Sequence, residues 1–148
     1  MAILLYLVFG LVAGAMLPFQ FGINAQLAHW LGSPVRATLA NFVVGTLALL
    51  AATLLFARGW PGSERLTGAP WWVWLGGLLG AFYVLGGVVT APKLGAATLV
   101  AVILAGQAVA SLLVDHFGWV GFKENPVTPG RLAGMGLVAA GVALVRIF

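Results

Sequence analysis

The chain has 148 residues, of which 62% are hydrophobic and only 7% are charged, and its mean hydropathy is +1.10. A soluble domain usually carries about 25% charged residues, so this composition excludes a soluble fold and predicts an all-α integral membrane protein in the lipid bilayer. The net charge of +4 does not indicate a nucleic-acid partner, because the basic residues are strung between apolar runs rather than clustered. The absence of cysteine excludes disulfides and Cys-ligated metals.

The first two spans follow from the N-terminal third of the chain. The opening "MAILLYLVFGLVAGAM" lacks the basic start of a secretory signal, and its apolar character runs on, so it predicts a retained helix. This helix covers residues 3–31, about 43 Å at 1.5 Å per residue, and must tilt, kink or project from a hydrocarbon core of about 30 Å. Ser33 and Pro34 form an N-cap and N1 pair that starts a second helix over 35–56.

Three more spans are predicted downstream of the polar stretch "ARGWPGSERLTGAP". The third covers residues 71–89, after which Thr90, Pro92 and Lys93 break the apolar pattern. The fourth covers 94–114, and Thr128 with Pro129 forms a second cap pair that starts the fifth, over 129–147. We therefore expect residues 1–148 to form a single transmembrane domain of five helices.

An odd number of spans places the two termini on opposite sides of the membrane. The side of the N-terminus then carries Arg58, Arg65, Lys123 and Arg131, and the other side carries Arg36, Lys93 and Arg146. Four basic residues against three give almost no positive-inside signal. Two interpretations stay open: the first helix resolves a modest preference, or the protein inserts both ways or pairs with an oppositely oriented partner, which would form an inverted repeat from separate chains.

Polar side chains inside the spans form the candidate binding site. Gln20 and Asn24 are spaced i, i+4 on the first helix, Gln107 and Ser111 are spaced likewise on the fourth, and Asn41 lies on the second. Counted from the membrane face that follows the first helix, Asn24 and Asn41 lie about 10 Å deep, and Gln20 and Gln107 lie about 17 to 20 Å deep. These residues predict an uncharged hydrogen-bonding site for a substrate or a pore. The alternative is that the amides bond one another between helices.

Pro18 and two titratable residues complete the candidates. Pro18 lacks an N–H, which frees a carbonyl near Gly14 and gives the first helix flexibility just before the polar face. Asp115 and His116, at the end of the fourth helix, are a candidate coupling pair or gate, with ordinary solvated loop chemistry as the alternative.

The sequence contains no pattern typical of an enzyme. It has no paired carboxylate, no His cluster with metal spacing, no HExxH and no phosphate-binding Gly-rich loop. No charged residue lies in the middle of a span, so a deep carboxylate for proton or cation exchange is lacking. Lys93 is interpreted either as a snorkelling loop cation or as a substrate anchor. We expect no catalytic residue, no metal and no cofactor.

Three runs carry a family resemblance: "FQFGINAQLAHWLGSPVRATLANFVVGTLALL", "APKLGAATLVAVILAGQAVASLLVDHFGWVGF" and "GRLAGMGLVAAGVALV". Together they resemble the small YdcZ-like branch of the drug/metabolite transporter superfamily over nearly the whole chain. The resemblance implies a multi-pass protein of the bacterial inner (cytoplasmic) membrane. It also implies an antiparallel dimer, with an identical chain or an oppositely oriented paralogue. Such a dimer would form a ten-helix inverted-repeat transporter with alternating access at the dimer interface. The family pattern coincides with Gln20, Asn24, Asn41, Gln107 and Asp115.

The sequence thus favours a small secondary transporter that exports a small neutral or zwitterionic metabolite. One alternative is a non-transporting assembly factor or complex subunit whose intramembrane polar residues are structural. Another is a multidrug-type cation exporter. A related family of four-span multidrug exporters uses a membrane-buried glutamate in its first helix, where this sequence has Gln20 and Asn24. That difference puts simple proton-for-cation antiport in doubt.

Overall fold

The protein is described by a computed structural model over residues 2–57 and 59–148, and Arg58, counted above in the charge balance, lies outside the described residues. The helices are α1 (Ala2–Leu31), α2 (Pro34–Phe56), α3 (Ser63–Thr67), α4 (Leu75–Leu94), α5 (Ala96–Phe117) and α6 (Pro129–Ile147). Short 3-10 turns cover Trp71–Trp74 and Trp119–Gly121. Five segments are long and apolar enough to cross a membrane: Ile3–Leu31, Pro34–Phe56, Trp71–Leu94, Ala96–Phe117 and Pro129–Ile147. The expected all-helical chain with five candidate spans is confirmed.

Side-chain caps set the starts of α2 and α6. The Ser33 hydroxyl accepts a hydrogen bond from the Arg36 N–H at 3.4 Å, and the Thr128 hydroxyl accepts one from the Arg131 N–H at 3.3 Å. In both helices a proline occupies the first turn, where a missing N–H removes no intrahelical bond. The cap and proline pairs in the sequence therefore begin helices where they were expected to.

The third span ends later than the sequence suggested. The helix does not stop at Val89 but continues to Leu94, with Pro92 inside it. A proline removes one helical hydrogen bond, whereas a helix broken inside hydrocarbon would leave several backbone groups without partners. Membrane helices therefore tolerate such a residue, and α1 likewise runs unbroken across Pro18.

The helix is interrupted instead at Gly95, which separates α4 from α5. Its backbone has φ +73° and ψ 165°, a conformation that glycine adopts at little cost and that other residues avoid. The fourth span consequently covers Ala96–Phe117 rather than 94–114. It ends where Gly118, in the left-handed region, donates its N–H to the Val114 carbonyl.

Backbone contacts divide the chain into two compact units. One is Phe19–Lys93, which holds the second part of α1 together with α2, α3 and α4. The other holds the first part of α1, up to Pro18, together with Leu94–Phe148. The division therefore falls inside α1, directly after its proline, and near the end of α4.

The unit Phe19–Lys93 is organised around the ring of Phe21. This side chain is only 2% exposed, its centroid lies 5.7 Å from that of Tyr83, and its ring packs directly against Gly87. A Cβ at position 87 would collide with the ring, so glycine is what allows α1 and α4 to approach closely. On the other side, a Cβ at Gly80 would lie 3.6 Å from Phe42, which brings α2 against the same helix.

In the second unit, α5 packs against α6, and Leu99 is buried. Large apolar side chains are nevertheless exposed along the spans of both units, among them Phe9 at 76%, Phe82 at 79% and Leu137 at 76%. Exposed apolar faces of this kind are suited to lipid or to a second membrane chain and not to water.

Two adjacent glycines test the packing of α1 on α4. Gly87→Ala should push against the Phe21 ring and lower the stability of the purified protein by about 1–3 kcal/mol. Gly86→Ala is the matched control, because nothing lies within 4 Å of its added methyl group, and it should change stability little or raise it by up to about 1 kcal/mol. Thermal unfolding in detergent measures both. Equal stability of the two variants would contradict this packing.

Candidate functional site

Asn24 is the most deeply buried polar residue among the candidates. It lies on α1 within the unit Phe19–Lys93 and is only 3% exposed. Within residues 2–57 and 59–148, its side-chain Nδ2 has no hydrogen-bond partner. A buried amide without a partner costs about 1–3 kcal/mol, so in this chain alone Asn24 lowers stability. Its Nδ2 is therefore a free hydrogen-bond donor within this unit.

Gln20 and Asn41 belong to the same unit and are both half-buried. No hydrogen bond joins either of them to Asn24 among the described residues. The alternative in which these amides bond one another between helices therefore finds no support within one chain. In contrast, the Thr38 hydroxyl, also buried, donates to the Pro34 carbonyl of its own helix at 2.9 Å.

Gln107 and Ser111 lie on α5 and belong to the other unit. Both are exposed, and the Ser111 hydroxyl donates to the Ala108 carbonyl of its own helix at 2.9 Å. The five residues predicted to line one site are thus divided, with three amides in one unit and this pair in the other.

Pro18 lies at the junction of the two units, since the division of the chain falls between it and Phe19. Because Pro18 has no N–H, the Gly14 carbonyl lacks its α-helical donor. The helix therefore has one backbone hydrogen bond fewer at the point where it passes from one unit to the other. The flexibility expected of Pro18 stays a prediction.

A cavity of about 740 Å³ opens at the end of α1, and the sequence did not reveal it. It is lined by the last turns of α1, the turn into α2 and the end of α4, and its polar residues are Gln26, His29, Ser33 and Lys93. Its size falls within the range of small-molecule sites, about 300–1,000 Å³. None of the five residues predicted to line the site is among its lining residues.

The turn that forms one wall of this cavity is a Schellman motif. Gly32 has φ +64°, its N–H donates to the His29 carbonyl at 3.3 Å, and the Ser33 N–H donates to the Ala28 carbonyl at 3.1 Å. Ser33 then caps α2, so one helix ends and the next begins without an intervening loop. The sequence signal for this motif is the "LGSP" run, in which Gly32 ends α1 and Ser33 with Pro34 starts α2.

Asp115 and His116 are both held by the segment that leads into α6. Asp115 Oδ2 forms an ion pair with Arg131 Nη2 at 2.9 Å, and the Asp115 carbonyl accepts from the Asn125 N–H at 2.7 Å. The His116 Nδ1 accepts from the Val127 N–H at 3.2 Å. Sequence reasoning counted Arg131 only in the charge balance and missed this pairing. The arrangement fixes the connection from α5 to α6.

No group of three or more His, Cys, Asp and Glu side chains that could hold a metal ion lies in the part of the chain that the structure describes. The contacts of Asp115 also involve no second carboxylate.

Comparison with known proteins gives one consistent result. The family model described as "Putative inner membrane exporter, YdcZ" matches residues 5–144. The chain is 31% identical over 142 residues to the inner membrane protein YdcZ of Escherichia coli (strain K12), covering 95% of this chain and 94% of that protein. No solved structure matches the chain.

The ion pair between α5 and α6 can be tested for a role beyond structure. Arg131→Gln and Asp115→Asn should each lower stability by about 1 kcal/mol or less, because both side chains are about one third exposed. Arg146→Gln, in the last turn of α6, is the control and should leave stability unchanged. Thermal unfolding and export are measured side by side. Loss of export at unchanged stability would contradict a structural role and identify Asp115 as a coupling residue.

Proposed function

Because the chain belongs to the YdcZ family of inner-membrane exporters, we propose that it is a secondary transporter that exports a small neutral or zwitterionic metabolite. In this proposal Gln20, Asn24, Asn41, Gln107 and Ser111 line the path of the substrate. Pro18 gives α1 its flexibility during alternating access. In the middle of the spans the substrate is bound by hydrogen bonds, because no charged residue lies there.

The working unit is proposed to be an antiparallel pair of five-helix chains, formed with an identical copy or an oppositely oriented paralogue. The odd number of candidate spans and the nearly equal basic charge on the two sides support it. The large exposed apolar side chains along the spans also leave ample helix surface for a second chain. Alternating access would then use a site built from both copies.

The observation that carries the proposal is the buried Asn24 amide without a partner. A polar group in hydrocarbon usually faces a partner, a substrate path or a watery cavity. Asn24 Nδ2 has no such partner among the described residues. A transported molecule that donates and accepts hydrogen bonds would provide what the chain itself does not.

Proton-for-cation antiport is less well supported. The three acidic residues of the chain are Glu64, Asp115 and Glu124. Glu64 lies in the short helix α3, Asp115 is paired with Arg131 near the end of α5, and Glu124 follows α5 in the connection to α6. A deep carboxylate that could exchange a proton for a cation is therefore missing from the sequence of the spans.

Asn24→Leu separates a transport role from a structural one, since leucine has nearly the same volume and no polar atoms. Removal of an unpaired buried amide should raise the stability of the isolated protein by about 1–3 kcal/mol, while export is lost. Gln20→Leu should likewise abolish export without impairing insertion. Export is measured by mass spectrometry of the medium of expressing cells, and then by counterflow in proteoliposomes with the compounds found.

Thr53→Leu is the control for these substitutions. It also removes a polar side chain from a span, but the Thr53 hydroxyl bonds only to the Leu49 carbonyl of its own helix at 2.7 Å. Export by this variant should match the wild type. Wild-type export by Asn24→Leu would contradict the proposal. Loss of oligomer assembly, rather than of export, would favour the alternative of a non-transporting complex subunit.

A further inference from the structure

Lys93 brings an uncompensated positive charge to the cavity at the end of α1. No acidic side chain lines this cavity, and in the part of the chain that is described Lys93 forms no ion pair. Glu64 is the one acidic residue in the sequence of this unit, and it lies in α3, away from the lining residues. A cationic lysine in a cavity without carboxylates is suited to an oxyanion and unsuited to a cation.

The same end of α4 also provides a hydrogen-bond acceptor. Pro92 has no N–H, so the Val88 carbonyl, four residues earlier, lacks its α-helical donor. Val88 is 2% exposed and lines the cavity. A carbonyl without its helical donor, close to hydrocarbon, favours a ligand that donates an N–H.

Three backbone acceptors at the end of α1 are already used. The Schellman motif occupies the carbonyls of Ala28 and His29, and Arg36 Nη1 donates to the Leu31 carbonyl at 3.3 Å. These bonds largely neutralise the negative end of α1, and the capped start of α2 presents the positive end of a helix dipole to the cavity. The negative end of α4 also lies at the cavity and is offset by Lys93 in its last turn. These contacts favour an anionic group near Ser33 and Lys93.

We infer that the substrate of the transporter proposed above is a zwitterion with a carboxylate and a protonated amine. The Lys93 ammonium binds the carboxylate, and the Val88 carbonyl accepts from the amine. That this zwitterion is transported rests on the proposed function. That it binds here rests on the cavity alone. It narrows the class from neutral or zwitterionic metabolites to zwitterions that carry both groups.

Both groups are needed for binding in this cavity. A ligand with only a carboxylate would leave the Val88 carbonyl unpaired, and a ligand with only an ammonium would add a second cation beside Lys93. A zwitterion has no net charge to bring out of water and complements the two features together. A zwitterion should therefore bind more tightly than a ligand that carries only the carboxylate or only the ammonium.

The two lysines of the chain, Lys93 and Lys123, allow a direct test by acylation of the purified full chain. N,N-dimethylamino acids serve as zwitterionic probes, because their tertiary amines are not stably acylated by the reagent. Isovalerate, which has the shape of N,N-dimethylglycine without its charge on nitrogen, and the methyl ester of N,N-dimethylglycine are the single-group controls. Peptide mass spectrometry gives the acylation rate at each lysine.

A zwitterionic probe at about ten times its Kd should slow acylation of Lys93 about tenfold, because the free fraction falls as 1/(1 + [L]/Kd). Lys123, which is exposed like Lys93 but lies outside this cavity, should react at an unchanged rate. The inference would be overturned if isovalerate protected Lys93 as well as the zwitterion does. It would also be overturned if no probe in a panel from N,N-dimethylglycine to N,N-dimethylphenylalanine protected Lys93. Protection only by phosphatidylglycerol vesicles, compared with phosphatidylcholine vesicles, would instead identify a lipid headgroup site and overturn it too.

Variants give a second readout through the rise in Tm that the protecting probe causes. Lys93→Gln should abolish this rise, Lys93→Arg should keep most of it, and Lys123→Gln should keep all of it. A rise that survives in Lys93→Gln would overturn the role of Lys93. The assay uses no gradient, so protection of Lys93 together with wild-type export by Asn24→Leu would retain the binding site and reject the transport site. If export depends on Asn24 but no probe protects Lys93, the transport site is retained and the binding site at Lys93 is rejected.

Discussion

Every hydrogen-bonding group inside a lipid bilayer has to find a partner within the protein or in what the protein binds. Most of this chain obeys that constraint locally. Thr38, Thr53 and Thr90 donate to carbonyls one turn earlier in their own helices. Hydroxyl caps satisfy the starts of α2 and α6, and a glycine turn satisfies the end of α1. The long apolar helices follow from the same constraint, because a helix pairs its backbone internally.

The exceptions are therefore informative, and most of them lie within the unit Phe19–Lys93 or at its boundary. They are the buried amide of Asn24, the backbone carbonyls left by Pro18 and Pro92, and the cation Lys93. The unpaired Asn24 amide and the Val88 carbonyl each cost stability in the isolated chain, and together with Lys93 they place a donor, an acceptor and a charge within one unit. Such a set is expected where a membrane protein binds a polar molecule rather than where it only holds helices together.

The sequence predicted the helical membrane fold because apolar length and the cap and proline pairs act locally. It missed the end of α4, since Pro92 was weighted as a helix breaker and membrane helices tolerate proline, whereas the true break depends on the conformation of Gly95. Spacing alone identified Asn24 but not its burial, which depends on how closely α1 packs against Gly87. The Asp115–Arg131 pair and the cavity join residues far apart in sequence, so no local pattern revealed them.

We propose that this chain is half of an antiparallel transporter, and pairing with an identical copy requires it to insert in both orientations. The lack of cysteine makes this directly testable. Ser63→Cys and Phe148→Cys introduce single thiols at exposed positions in α3 and at the C-terminus. A membrane-impermeant thiol reagent is applied to whole cells before and after permeabilisation of the inner membrane. If the account is correct, about half of each variant reacts from outside, as a balanced charge distribution predicts. Complete reaction of one variant and none of the other would contradict dual insertion of this chain.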